Sequence, residues 1–369
     1  MTGHIDGLNI GTDGCDRSQV VSIRDVARAA GVSHQTVSRV INHSPSVSDA
    51  TREAVLATIS ALGFRPNRAA RALAGGPLQS VTVLATSTSL WGYSAAIQGI
   101  EEATRTVGFG MGFRKIEEAS PKNMRAAAEY AVEPAGALIV IAFDRAGAMA
   151  LQSVPSDIPT AAIIQAPGEG IVPAHPSVWI DEFEAARDAT RHLLGLGHRT
   201  VHYVAIPSWS GPTRREQGWL TALQEVDAPA PAPLKAGWTA EWGYEAARGL
   251  VDDAEATALL CGNDDIALGA VRAISEQGLK VPDDMSIVGF DDVPFARFSC
   301  PALTTVRQDF TALGRACVAT LMDLIGTRGP GMRRTAPEAE LIVRETTAPP
   351  PARRSGARCG AGVHSSLSP

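Results

Sequence analysis

The sequence predicts a small all-α head followed by a large α/β body, and three observations predict it. Three short helical patterns, each opened by a serine, are packed between residues 22 and 63. From residue 80 onward, β-rich runs alternate with helical patterns. The charge changes sign near the same boundary: residues 22–76 carry seven arginines against Asp25, Asp49 and Glu53, whereas residues 77–350 carry 22 basic against 33 acidic residues. The net charge of −6 therefore hides a basic head before an acidic body, and the electrostatic footprint of nucleic-acid binding is local.

A chain of 369 residues with 45% hydrophobic content can build a small module and a large two-lobed core. No run approaches the ~20 apolar residues of a membrane span, and the first residues lack an apolar signal stretch. The expectation is a soluble cytoplasmic protein with no membrane partner. Cys15, Cys261, Cys300, Cys317 and Cys359 show no C-x-x-C spacing, so neither a disulfide framework nor a structural metal is indicated, and no cofactor is expected. His192, His198 and His202 lack carboxylate or cysteine partners and read as surface or core histidines. GFGMG at 108–112 precedes a strand-like run instead of opening a helix, which rules against a dinucleotide loop.

Residues 1–20 are polar and glycine-rich and read as a disordered tail. In the head, residues 21–64, Ser22 precedes IRDVARAA, Ser33 precedes HQTVSRVI, and Ser48 precedes DATREAVLATISAL, which Gly63 ends. Each serine is a favoured N-cap and Gly63 a favoured stop. Ala27, Ala30, Val32, Val37, Val40, Val55, Ile59 and Leu62 have the spacing of a shared core.

GVSHQTVSRVIN has the layout of a helix-turn-helix: Gly31 opens the turn, Val32 plugs it, Ser33 caps the second helix. His34, Gln35 and Arg39 then face outward at the start of that helix and one turn on. Gln and Arg suit bidentate recognition of adenine and guanine edges, so these three are the candidate base-reading residues. Ser22, Ser33, Thr36, Ser38, Asn42, Ser48 and Thr51 can donate to phosphates, or serve only as caps and surface hydroxyls.

In the body, SVTVLAT, GALIVIAF, TAAIIQ, TVHYVAI, ATALLCG, MSIVGF and LIVRET are the β runs, most of them followed by a helical pattern. Such alternation argues for parallel sheets with right-handed crossovers and places ligands beyond the strands' carboxyl ends. Residues 350–369 are rich in Pro, Ser, Gly and Arg, read as a second disordered tail, and contain no leucine heptad that could add a coiled-coil assembly.

The stretch SIRDVARAAGVSHQTVSRVINHSPSVSDATREAVLATISALGFRPNRAARALAGG resembles the headpiece and hinge of the lactose/galactose repressor family of transcriptional regulators. The similarity continues through GLGHRTVHYVAIP, ALLCGNDDIALGAVRAISEQGL and MSIVGFDDVPFARFSCPALTTVRQDFTALG. It implies a helix-turn-helix head, a hinge at 65–78, and a type I periplasmic-binding-protein-like effector and dimerisation domain at 79–349. Its N-lobe would comprise about 79–179 and 308–337, its C-lobe about 180–307 and 338–349. The resemblance also implies a hinge helix in the DNA minor groove, with Leu73 wedged between base steps beside Ala70, and Asn67 and Arg71 near the backbone; an apolar wedge can lever apart a flexible pyrimidine–purine step. A linker whose leucine packs on its own protein is the plainer reading.

Carried over from the family, Asp144, Arg215, Asn263 and Asp291 would bind a sugar's hydroxyls, Trp238 would pack on its apolar face, and Ser87, Gln308 and Phe310 would complete the cleft. Asp144, Asn263 and Asp291 are equally favoured N-caps, and Trp238 could be core. One segment departs from the family pattern: TSTSLWGYSAA brings Trp91 and Tyr93 into a loop that is more aliphatic elsewhere, which points to a larger glycoside or oligosaccharide. The implied function is a homodimer on a pseudopalindromic double-stranded operator, repressing carbohydrate genes until a galactoside-like or other glycoside inducer binds. A nucleobase or nucleoside corepressor on the same fold is the alternative. A sugar receptor or an enzyme on the binding-protein fold is disfavoured, because a receptor would not carry a DNA head and no catalytic constellation is present.

Overall fold

The computed structural model describes residues 21–41, 44, 46–64, 80–116, 136–168, 172–209, 211–235, 237–253, 255–326 and 338–352. They fall into two units, residues 1–77 and 78–369.

The first unit is a three-helix cluster of α1 (Ile23–Ala29), α2 (His34–Ile41) and α3 (Asp49–Leu62). Ser22 and Asp25 form a reciprocal capping box at α1. The Ser33 and Ser48 hydroxyls accept from Thr36 N–H (3.1 Å) and Thr51 N–H (3.4 Å), so each expected cap satisfies a donor the helix itself cannot. Gly31 turns the chain at φ 66° between α1 and α2.

The core holds Val26, Ala27, Val37, Val40, Val55 and Phe64. Leu62, expected inside, is 38% exposed. The reason is local. Gly63 stops α3 at φ 62°, and Phe64 N–H then reaches back to Ile59 O (3.1 Å) while Gly63 N–H reaches Ser60 O (3.2 Å). This double closure swings Phe64 onto the core in place of Leu62.

The second unit contains two sheets. The first is fully parallel, in the order β2 (Gly110–Lys115), β1 (Ser80–Ala85), β3 (Ala137–Ala142), β4 (Thr160–Ile164), β5 (Ser177–Val178). The second has the order β11 (Glu340–Ile342), β10 (Thr304–Arg307), β9 (Ser286–Asp291), β8 (Ala258–Cys261), β6 (His202–Ala205), β7 (Leu234–Lys235). Only the β10–β11 pair in it is antiparallel. All six residues of β3 are buried, as a strand covered by helices on both faces must be. TTVR, which is not among the β runs the sequence predicts, forms β10.

The helices are α4 (Trp91–Thr106), α5 (Arg145–Gln152), α6 (Phe183–Gly195), α7 (Arg214–Glu225), α8 (Ala240–Leu250), α9 (Asp264–Glu276) and α10 (Phe310–Leu324). The chain passes from the first sheet to the second between β5 and α6, and returns between β10 and α10, which packs on α4 and on the core of the first sheet. Glycine makes that return possible. A Cβ on Gly99 would lie 2.0 Å from Thr311 O and one on Gly314 2.2 Å from Ala96 O, so α4 and α10 meet backbone to backbone. Among the described residues no helix is long and apolar enough to cross a membrane.

Candidate functional site

In the head, Val37 and Val40 of α2 face the core, and the helical period therefore turns the other face outward. His34, Gln35 and Arg39 are all exposed, with Gln35 and Arg39 one turn apart on one side. Ser22, Ser33 and Ser48 are engaged as caps, with Ser33 and Ser48 paired to the Thr36 and Thr51 hydroxyls at 2.9 Å each. Such groups at helix starts can still meet a phosphate. Asn42, Asn67, Ala70, Arg71 and Leu73 lie outside the described residues.

In the second unit, a cavity opens where the strands of both sheets end. Asp291 is the last residue of β9 and holds φ at 111°, a region costly for any side chain but glycine. Gln308 Nε2 donates to its Oδ1 (2.8 Å), and Arg215 Nη2 stands 3.8 Å away. Burial pushes the Asp291 carboxyl up to about 7; Arg215 opposes the rise and Glu182 adds to it.

Arg215, on the first turn of α7, is buried. It donates to Glu182 Oε1 (2.7 Å) and to the Gly262 carbonyl, and its guanidinium lies 4.3 Å from the centre of the Phe290 ring. Burial works against the charge, yet Glu182 and Asp291 hold its pKa above the ordinary arginine value. Two buried polar atoms beside Asp291 lack a partner: Arg215 Nε and Gln308 Oε1. Buried polar atoms are rarely left unpaired except where a ligand or water is to complete them.

Asn263 caps α9 through Oδ1, accepting from Ile266 N–H (2.8 Å), and its Nδ2 donates to Trp238 O (2.9 Å). Asn263 is thus a cap that also lines the cavity, together with Trp238, Arg215, Asp291 and Phe310. Three expected site residues are not on the wall. Gln308 stands behind Asp291. Ser87 accepts from Ser89 N–H and Leu90 N–H (3.3 Å each). Asp144 caps α5 through Gly147 N–H (2.8 Å), and its other oxygen accepts from the Thr86 hydroxyl and from Tyr93 Oη (2.8 Å).

The wall also contains residues the sequence reading did not assign: Trp91, Tyr93, Phe143, Gln165, Glu182 and Asp265. Trp91 and Tyr93 belong to the segment whose departure from the family pattern points to a larger glycoside or oligosaccharide, and both line the cavity. Glu182 and Asp265 had a weak signal, since each follows closely on a crossover or strand end where ligands gather. Burial raises the Asp265 pKa, and Glu241 adds to the rise. Among the described residues no group of three or more His, Cys, Asp or Glu is placed to hold a metal ion.

Residues 22–67 match the model of bacterial regulatory proteins of the lacI family, and residues 190–347 match that of a periplasmic binding protein-like domain. The chain is 32% identical over 337 residues to the lactose operon repressor of Escherichia coli (strain K12), spanning 89% of this chain and 91% of that protein. The lac repressor dimer bound to operator and the anti-inducer ONPF is similar in structure, with a TM-score of 0.77 and 30% identity over 89% of this chain and all of that one. The complex of the transcriptional regulator CelR with cellobiose has a TM-score of 0.61 and 28% identity, covering 88% of this chain and 99% of that one.

Proposed function

Because this chain belongs to the lacI family of bacterial regulatory proteins and is a DNA-binding transcriptional repressor, we propose that a sugar entering its cleft releases it from an operator. The observation that carries this reading is the unfinished polar cluster around Asp291. Arg215 Nε lacks an acceptor and the Asp291 carboxylate lines the wall beside it, and a hydroxyl group is the ligand function that both accepts and donates. Glu182, Asp265 and Asn263 on the same wall add acceptors and one amide, which together suit a ring bearing several hydroxyls. CelR, a structural relative, carries a disaccharide, cellobiose, in its complex. A second reading, a nucleobase or nucleoside that strengthens DNA binding, draws support from the flat aromatic surfaces of Phe143, Phe310 and Trp238 on the cavity wall.

On DNA, the reading is a cytoplasmic homodimer whose two heads occupy half-sites of a pseudopalindrome, as the lac repressor structure is a dimer on its operator. His34, Gln35 and Arg39 read base edges, the serine and threonine hydroxyls with Asn42 fix register on phosphates, and Asn67, Ala70, Arg71 and Leu73 of the hinge enter the minor groove. Residues 79–349 form the effector domain. Coupling between cleft and DNA is reciprocal: a sugar that weakens operator binding must itself bind the operator complex more weakly by the same factor.

The test is calorimetric titration of the dimer with a panel of mono- and disaccharides beside purine bases and nucleosides, repeated on the operator complex. A sugar that binds free protein more tightly than the operator complex supports the inducer reading. A purine with the opposite preference would replace it, and a sugar bound with equal affinity in both states is not the inducer.

A further inference from the structure

Asp291 offers its carboxylate to the cleft from strained backbone. It holds φ at 111°, and Asp292 follows at 52°. Two consecutive non-glycine residues at positive φ are costly and persist only where their surroundings over-determine them. The contacts of the Asp291 carboxylate are too few to do this: Gln308 Nε2 donates to it (2.8 Å), and Arg215 stands off at 3.8 Å.

The holding groups act on the next two residues. Asp292 Oδ1 accepts from Arg344 Nη2 (2.5 Å) and Oδ2 from Arg307 Nε (2.8 Å). The side chain of Asp292 is 10% exposed and that of Arg344 15%, so the pair is only weakly screened. Arg344 is itself fixed: Nη1 donates to Leu303 O (2.7 Å), and its backbone N–H to Thr304 Oγ1 (2.9 Å). Val293 N–H donates to Asp264 Oδ2 (2.9 Å), and Asp264 Oδ1 accepts from Thr305 Oγ1 (2.5 Å). Gly289 makes room for that carboxylate, since a Cβ there would lie 2.2 Å from Asp264 Oδ1.

These anchors share a location. Thr305 and Arg307 belong to β10, by which the chain leaves the second sheet for α10, and Arg344 follows β11, on which it returns. The loop that aims Asp291 is thereby fastened to the strands at two lobe crossovers, through residues that do not line the cavity.

We propose that Asp292 and Arg344 are positioning residues for the effector site: their ion pair holds residues 291 and 292 at positive φ and so keeps the Asp291 carboxylate turned into the cleft. This rests on the reading above of Asp291 as the group a ligand hydroxyl meets. Without the clamp, residue 292 falls back to negative φ and the carboxylate at 291 swings toward water.

Carbon-13 NMR titration of the full-length protein, labelled at its aspartate carboxyls, measures that position without any ligand. The Asp291 signal is the one missing from Asp291→Asn. In the unmutated protein burial pushes its pKa up to about 7. Arg344→Ala should lower the midpoint by about one pH unit or more, toward the ordinary carboxylate value of about 3.9. The sign separates positioning from charge alone, because deleting a nearby cation with the loop unmoved would raise the midpoint or leave it in place. Arg344→Lys should restore part of the fall. In an Asp292→Gly background, where glycine takes a φ of 52° unaided, Arg344→Ala should cause no further fall. Arg307→Ala, at a half-exposed side chain, should give a smaller fall and carries the test if Arg344→Ala does not fold. A midpoint unchanged or raised in the folded variants, or one already at the ordinary carboxylate value in the unmutated protein, overturns the positioning role. If the midpoint falls as expected and no sugar binds in the titrations above, the clamp stands and the sugar reading fails.

Discussion

Arg215 and Asp291 stand 3.8 Å apart in the cleft, Arg215 buried and Asp291 partly buried, and neither closes on the other. Arg215 is held by Glu182 and the Gly262 carbonyl, Asp291 by Gln308. The two groups thus have different structural debts. Arg215→Ala would leave Glu182 and Asp291, both partly buried, without their buried cation, and removing one partner of a buried ion pair costs about 3–5 kcal/mol. Asp291→Asn keeps the shape, leaves Arg215 paired with Glu182, and supplies a residue tolerant of positive φ. Thermal unfolding should therefore separate them: a large fall for Arg215→Ala and little change for Asp291→Asn. In titration with the best sugar, Asp291→Asn should lose about 1.5–3 kcal/mol of binding while operator affinity is retained. If Asp291→Asn unfolds as readily as Arg215→Ala, the carboxylate is structural.

The affinity for that sugar should depend on pH in one direction. The Asp291 carboxyl of the free protein is pushed up to about 7 by burial, and ligand hydroxyls donating to it favour the ionised form. Binding is therefore full above pH 7 and weakens as pH falls through 7, by up to about tenfold per unit until the pKa of the complex is reached. Asp291→Asn should flatten the profile. A dependence of the opposite sign would mean that the ligand accepts a proton-bearing carboxyl.

Tyr93 and Asp144 form a contact across 51 residues of sequence whose loss is measurable. Tyr93→Phe removes the phenolic donor from a half-buried carboxylate and leaves Thr86 and Gly147 N–H in place. A fall in urea stability of about 1–2 kcal/mol is expected. Burial first, and then the Asp144 charge, raise the Tyr93 pKa, so the phenol stays un-ionised below strongly alkaline pH. A spectrophotometric titration showing Tyr93 ionising near the ordinary value of about 10 would contradict this geometry.

That pair also shows where the sequence stopped being informative. Local chemistry was legible: Ser22, Ser33 and Ser48 cap the helices they precede, and the strand–helix alternation becomes two parallel sheets. Arg215, Trp238, Asn263, Asp291 and Phe310 converge on one cavity. Asp144 satisfied the same local rule, a carboxylate just after a strand. Its distance from the wall depends on Tyr93, which no spacing rule ties to it. Leu62 was misplaced for a related reason, because a 3.6-residue period says nothing of the reversal that Gly63 imposes. Glu182 and Asp265 give no distinct signal of their own, because single acids near strand ends look like ordinary caps.

His198 gives a stability prediction of opposite slope to that of Asp291. Its Nδ1 lies 2.8 Å from Thr257 Oγ1, and Nε2 lies 3.0 Å from Ala348 O and 3.1 Å from Ser286 Oγ, an arrangement suited to a neutral ring. Burial lowers its pKa, more than the Ala348 carbonyl raises it, with His192 adding to the fall. The unfolded chain therefore takes up a proton first. The contribution of His198 is complete above about pH 6.5 and is lost as pH falls through that value toward the lower folded pKa. Asp291, whose folded pKa is raised, gains stability over the same descent, so the total slope mixes both. The difference between the unmutated protein and His198→Gln in urea titrations at pH 5, 6 and 7 isolates the histidine: it should shrink as the medium becomes more acidic. A difference that grows toward pH 5 would mean that the ring is charged in the fold.

The head offers a separation between reading and folding. Gln35 and Arg39 are exposed on α2, so Gln35→Ala and Arg39→Ala should leave the thermal transition within about 0.5 kcal/mol of the unmutated protein. Each should weaken operator binding by about 1–3 kcal/mol and relax preference at one base position per half-site. Ser48→Ala should do the reverse. Its hydroxyl accepts from Thr51 N–H and pairs with Thr51 Oγ1, so its loss should destabilise the head by about 1 kcal/mol. Any effect on DNA should then be uniform across operator sequences, because a phosphate contact carries no base information. Anisotropy titrations against a set of single-base operator variants, run beside calorimetry of each protein, distinguish the two classes. If Arg39→Ala lowered affinity equally for every variant, Arg39 would be a backbone contact and the base-reading face of α2 would lie elsewhere.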